Sequence, residues 1–397
     1  MIEEAHRAAQ ARLGIAGAYL ALREWNGVSP TAPLATSGTW LLRSLKIIRA
    51  LRRKSTRLAV AYYQLARAIE TGYTLGLPEY SEDPKAVTMG GLRKQYLDLL
   101  TEIAQIEQPE SAQVDIPNST KSRDEEWLER ELQDAENAGR ESNAKGNLLS
   151  NLDLESYIED LIEESDYDTD DDPVEVDPYE WEEDVFTDEE LEAIYTEQLQ
   201  KNAAGQEEKA KKVKRTGETD QLDRLIAGLE EDHAKAGSTG AGQVDAAGMN
   251  AGRQVLSNAY KRDRRVQMIA RGTGPNPCAF CAMLASRGFV YRDTKTAGFN
   301  TNGGNDVEKY HPNCHCFPVV RWADIPDPTA PGRSEFYKAN WRDVTKDFAW
   351  EALEGGKGRN HAYNAWRRWL NAERKAGRIP TDLAPIRASR AKKKTTA

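Results

Sequence analysis

At 397 residues the chain is long enough for two or three domains, yet 39% hydrophobic and 30% charged residues leave less core than that length suggests. The first ten residues carry Glu3 and Glu4 and no apolar run, which argues against a secretory leader, and no stretch approaches the roughly 18 consecutive apolar residues of a membrane helix. The net charge of −10 is unevenly spread: residues 151–200 hold 22 of the 64 Asp and Glu and no Lys or Arg, leaving 54 basic against 42 acidic residues elsewhere. The expectation is a soluble protein made in a cytosol, with no membrane partner.

Residues 1–106 read as an N-terminal helical domain. An Ala-rich helix runs to Trp25, Pro30 and Pro33 break the pattern, and a longer helix follows. Its apolar stripe is Leu41, Leu45, Ile48, Leu51, Leu58, Tyr62, Leu65 and Ile69, with Ser37 as its cap and Gly72 as its end. Its other faces carry Arg43, Lys46, Arg49, Arg52, Arg53, Lys54 and Arg57, a surface for phosphates or for an acidic protein, or simply a solvated face. A shorter helix around Lys94 to Ile106 closes the domain.

Residues 107–205 form an acidic segment expected to be largely disordered, because the run SDYDTDDDPVEVDPYEWEEDVFTDEE has too much like charge to fold alone. Trp127, Leu128, Tyr157, Ile158, Leu161, Ile162, Trp181 and Phe186 punctuate it, as pieces that fold onto a basic partner or as parts of a solvated spacer. The run lacks the Gly and closing Glu of an EF-hand loop, which excludes that kind of calcium site. Residues 206–271 read as helical, interrupted by Gly237, Gly240 and Gly242 and resuming from Asp245 to Arg271 on Val255, Ala259, Val266 and Ile269. A Cys/His module follows at 272–330, with strands at Phe289–Tyr291 and Phe317–Trp322. Helices carrying Phe348, Trp350, Trp366 and Trp369 occupy 331–386, and 387–397 is a basic tail expected to be disordered. The fold class expected is mainly α-helical and multi-segment, with a small α+β Cys/His module of zinc type and a long acidic disordered region.

All four cysteines lie in one short region, whereas a disulfide-stapled secreted domain spreads them along its length. Cys278 and Cys281 form C-x-x-C, and after a 29-residue gap come His311, Cys314, His315 and Cys316. Two close pairs separated by a loop of free length suit a four-coordinate zinc ion, each pair spanning one edge of the tetrahedron. The preferred ligands are Cys278, Cys281, His311 and Cys314, with Cys316 as first substitute, since Cys314 and Cys316 share one side of an extended strand. A closed site of this kind is structural. The alternatives are a redox C-x-x-C, a Cys nucleophile with His311 or His315 as base, and disulfides formed outside the cell.

The order helix, C-x-F-C-x-M-L-x-S-R-G, aromatic strand, Gly-rich loop and Y-H-x-x-C-H-C resembles the C-terminal module of phage Mu protein F-like minor head proteins of actinobacterial tailed phages. The segment RLAVAYYQLARAIETGYTLG, Arg57 to Gly76, is similar to an N-terminal segment of the same group. The resemblance covers about a third of the chain, mainly residues 40–77 and 245–322. It implies a low-copy protein of the virion interior, present in the host cytoplasm during assembly, acting in head assembly and associated with portal, coat or scaffold proteins. The basic helix and tail by themselves support a further alternative, a DNA-binding accessory head protein. Members of the group are often labelled capsid maturation proteases. The residues offer little for that activity, since there is no G-x-S-x-G and no H-E-x-x-H, and Ser286 with His311 pair only by analogy.

Overall fold

The computed structural model describes residues 2–106, 170–181, 186–214, 219–273, 277–291, 315–322, 332–346 and 361–379. It is mainly helical. The described residues divide into two units, one running to Leu256 and the other from Ser257 onward.

The first unit contains α1 (Ile2–Trp25), the short α2 (Pro33–Thr36), α3 (Gly38–Thr71), β1 (Tyr73–Leu75), α4 (Met89–Ala104), β2 (Glu175–Asp177), α5 (Asp188–Lys214) and most of α6 (Thr219–Arg262). In α1, Ala5, Ala8, Ala9 and Ala11 are buried, and so are the polar His6, Arg7, Gln10 and Arg12. A helix buried on nearly every side needs partners for its polar groups. Arg12 meets this need at the far end of α4, where its guanidinium donates to the carbonyls of Ile103 (3.0 Å), Ala104 (2.7 Å) and Ile106 (2.8 Å). These are the carbonyls that a helix end leaves without intrahelical donors, and a cation is favoured there. The Gln10 amide donates to Ser55 O (3.1 Å), and the Ser55 hydroxyl donates to Gln10 Oε1 (2.8 Å) while accepting from Gly252 N (3.2 Å). That node joins α1, α3 and α6.

The apolar stripe of α3 is buried from Leu45 to Leu65 as its spacing predicts, whereas Ile69 is exposed. Gly72 ends the helix in the left-handed region, at φ 75°, its N–H bonded to Ala68 O. Ser37 stands at the N-cap without capping; its hydroxyl donates to Leu34 O (3.4 Å) instead. The helix expected from Lys94 begins earlier, at Met89, where Thr88 Oγ1 accepts from Gly91 N (3.2 Å).

The glycines expected to interrupt the chain near Gly237 lie within one continuous helix, α6. A Cβ at Gly237 would fall 2.3 Å from Trp25 Cδ1, one at Gly240 2.8 Å from Trp40 Cζ2, and one at Gly252 2.6 Å from the backbone oxygen of Ser55. Glycine is therefore required for close approach. Trp25 and Trp40 meet edge to face with centroids 4.7 Å apart, and their indoles donate to His233 O (2.9 Å) and Ala21 O (3.0 Å).

Within the segment 107–205 expected to be largely disordered, residues 170–181 and 186–205 are folded. β2 pairs in parallel with β1, Tyr73 opposite Glu175 and Leu75 opposite Asp177, and the Trp181 indole donates to Leu75 O (3.0 Å). Its acids meet arginines from far earlier in the chain: Asp170 pairs with Arg93, Asp177 with the buried Arg67, and Asp188 and Glu192 with Arg49. Leu191, Tyr195 and Leu199 add a buried stripe. Local like charge is thus neutralised by distant partners, which a window of sequence does not reveal. Residues 107–169 and 182–185 lie outside the described residues, as do 387–397.

The second unit contains the end of α6, β3 (Val266–Gly272), α7 (Ala279–Ala285), β4 (Phe317–Trp322), α8 (Gly332–Thr345) and α9 (His361–Lys375). The helix expected to reach Arg271 stops at Arg262, and Val266 and Ile269 lie on a strand. Asp263 makes the break: its backbone N–H bonds Ala259 O, while its carboxylate accepts from Arg265 N (3.0 Å) and from the Trp322 indole (2.8 Å). β3 and β4 are antiparallel, Val266 opposite Trp322 and Gly272 opposite Phe317. Phe317–Trp322 is a strand as expected, whereas the Phe289–Tyr291 stretch makes a single bridge, Tyr291 to Ile269. Phe348 and Trp350 lie outside the described residues.

Two predictions follow from the first unit. Gly252→Ala, which meets backbone, should lower its stability by about 1–3 kcal/mol, whereas Gly228→Ala, with nothing within 4 Å of the new Cβ, should raise it by up to about 1 kcal/mol. Denaturant midpoints check both signs. His6, fully buried and stacked on Tyr62 at 4.3 Å, has its pKa lowered by burial from 6.5 to about 3. The unfolded chain therefore binds a proton below pH 6.5 that the folded chain refuses until about 3, so this contribution is complete above pH 6.5 and is lost on acidification. From pH 7 to 5.5 the first unit should lose about 1 kcal/mol more than its His6→Gln variant; equal losses in urea titrations would show that His6 is not buried neutral.

Candidate functional site

The C-x-x-C motif forms the start of α7. Cys278 is its N-cap in extended backbone, and Cys278 Sγ accepts from Cys281 N (3.4 Å), so the turn folds the two thiols together with sulfurs 3.3 Å apart. α7 is held from behind by small residues against large ones. Ala279, Ala282 and Ala285 lie in one cluster with Tyr337, Trp366 and Leu370, and the Trp366 indole donates to Ala279 O (2.9 Å). Arg374 donates to Pro277 O (2.8 Å), fixing the residue before the motif.

β4 supplies the third thiol. Cys316, just before Phe317, lies with its sulfur 2.9 Å from that of Cys281, and both side chains are buried. Beside them on β3 stands Arg271, itself buried, whose Nη2 donates to Cys281 Sγ (3.3 Å). From α9, Tyr363 has its pKa raised by burial and then by Cys278, against an opposing effect of Arg367 and with a further raising effect of Cys281.

These sulfur separations exceed the roughly 2.05 Å of a disulfide, so Cys281 is bonded covalently to neither Cys278 nor Cys316. They are shorter than the roughly 3.8 Å edge that 2.3 Å Zn–S bonds give a tetrahedron. Among the described residues no group of three or more His, Cys, Asp or Glu stands ready to hold a metal ion. Of the four ligands expected from sequence, the structure brings Cys278 and Cys281 together, while His311 and Cys314 lie outside the described residues. Among the described residues Cys316, ranked as a substitute, is placed against Cys281. Arg271 was missed because the expected helix hid its strand, in which Ile269 and Arg271 fall on the same side as a period of two requires.

Several of the other candidate residues are occupied within the fold. The Ser286 hydroxyl, proposed only by analogy as a partner of His311, is buried and donates to Met283 O (2.7 Å). On α3, Arg43 pairs with Glu24, Arg49 with Asp188 and Glu192, Lys54 with Glu102 and Arg57 with Glu79, while Arg52 is buried and donates to Ala247 O (2.9 Å). Each pair brings a carboxylate to the face expected to meet phosphates. Among the described residues no helix is long and apolar enough to cross a membrane.

A family model described as VG15 protein, a viral gene-product family, matches residues 190–342. The match points to a phage-encoded protein. No curated protein and no solved structure matches the chain. The matched range begins in α5 and ends in α8, so it takes in the whole thiol cluster together with α6.

The contact between Trp366 and α7 yields a prediction. Trp366→Phe keeps a ring but leaves Ala279 O without its donor, and should destabilise the second unit by about 1–2 kcal/mol and speed alkylation of Cys281. Unchanged thermal unfolding and unchanged alkylation would show that the indole does not hold the start of α7.

Proposed function

We propose that this chain is a structural minor head protein of a tailed bacteriophage, of the Mu protein F-like kind. It acts in head assembly at the portal or inner shell, in contact with portal and with coat or scaffold subunits. The observation that carries the reading is the coincidence of two signals on one stretch. The family match at 190–342 encloses residues 245–322, whose C-x-F-C and H-x-x-C-H-C motifs carry the resemblance to minor head proteins.

The arrangement of charge supports protein contacts over DNA binding. Surface ion pairs contribute little stability one by one, but carboxylates set among the arginines of α3 cancel the local field that steers a phosphate backbone. The capsid maturation protease reading gains nothing from Ser286, whose hydroxyl is committed to a helix carbonyl.

The test is co-expression with the portal, scaffold and coat proteins of the phage that encodes the chain, followed by quantitative mass spectrometry of purified procapsids. A few copies per particle that withstand a salt wash, with uncut coat protein, are expected. Particles that form normally and lack the chain would refute the structural role, and coat cleavage that depends on it would transfer the reading to the protease.

A further inference from the structure

We propose that Cys278, Cys281 and Cys316 bind one zinc ion as thiolates and that Arg271, bonded to Cys281, is the cation that neutralises the centre. The three sulfurs come from two elements far apart in sequence, the start of α7 and the start of β4, and converge with separations of 3.3 and 2.9 Å around Cys281. Their donor chemistry is soft, which suits zinc over the hard divalent cations. Taking a zinc ion requires the sulfurs to part to about 3.8 Å, less than about 1 Å of movement for each pair. Side-chain rotation at a turn and at a strand end supplies this.

The charge at the site is complementary to such a centre. Cys281, Cys316 and Arg271 are all nearly inaccessible, at 1%, 3% and 2% exposure. A buried guanidinium favours a nearby negative group, and Arg271 donates to the Cys281 sulfur. Three thiolates and one Zn²⁺ carry a net charge of −1, and Arg271 brings the sum to zero. Backbone donation from Cys281 N to Cys278 Sγ adds a hydrogen bond that stabilises a thiolate.

Bound there, the ion would link α7 to β4 and so tie the alanine and tryptophan cluster to the sheet. Its binding energy would then be folding energy of the second unit. This inference is independent of the head-protein reading and survives its failure.

The experiment uses the full chain, purified under reducing conditions with no metal added. About one zinc per chain is expected by elemental mass spectrometry, released only as a mercurial modifies the thiols. Cobalt substitution should give sulfur-to-metal charge-transfer absorption. In competition with a chromophoric chelator, Cys316→Ser and Arg271→Met should each weaken zinc binding by at least about tenfold, while Cys316→His, which keeps a donor, should retain zinc with weaker charge-transfer absorption in its cobalt form. Retention by the His variant separates ligand loss from misfolding. A zinc-free chain whose four cysteines all titrate as ordinary thiols, zinc binding of wild-type strength in Cys316→Ser, or a Cys281–Cys316 disulfide in unreduced protein would each overturn the proposal.

Discussion

Helix α6 can lie against α1 and α3 because glycine stands wherever a neighbouring group arrives. Trp25 occupies the space of a Cβ at Gly237, Trp40 that at Gly240, Leu51 that at Gly248, and the Ser55 backbone that at Gly252. Each glycine inside a helix costs about 1 kcal/mol relative to alanine, but burying an indole returns several times that through the apolar area removed from water. The close approach also brings Gly252 N within reach of the Ser55 hydroxyl and Ala247 O within reach of Arg52. Polar groups that would otherwise be stranded in a helix interface are thereby paired.

The same constraint explains what the sequence conceals. A stripe of large apolar residues, as on α3 from Leu45 to Leu65, is readable because its period is fixed by the helix that carries it. α1 has no such stripe: it is buried on almost every side, and alanines with scattered arginines read as a surface helix until the carbonyls that Arg12 serves are known. Glycines in α6 read as breaks because glycine near a helix end and glycine under a tryptophan are the same letter. The folded part of the acidic segment escapes for a related reason. Asp170, Asp177 and Asp188 repel their neighbours along the chain, and the arginines that offset this repulsion come from α3 and α4.

At the thiol centre, sequence spacing named Cys278 and Cys281 and placed a helix start and a strand start around them, and both elements are present in the fold. Spacing alone could not rank Cys316 against its neighbours, because that depends on where β4 sits along β3. The register, Arg271 opposite Pro318 and Gly272 opposite Phe317, fixes the height at which the residue before Phe317 meets α7. Arg271 was not legible either, since the choice between a period of 3.6 and a period of 2 over Val266–Gly272 turns on Asp263 and its distant partner Trp322.

The two ends of α4 fix the chain at the borders of the interval 107–169. At its C-terminal end Ile106 O accepts from Arg12, and at its N-terminal end Gly90 N donates to Asp170 O while Arg93 pairs with Asp170. The described stretches on either side of the interval therefore stand at opposite ends of one sixteen-residue helix, about 24 Å apart. The spacing of the two anchor points is thus set by α4 itself, a rigid rod that Arg12 of α1 holds at one end and Asp170 holds at the other.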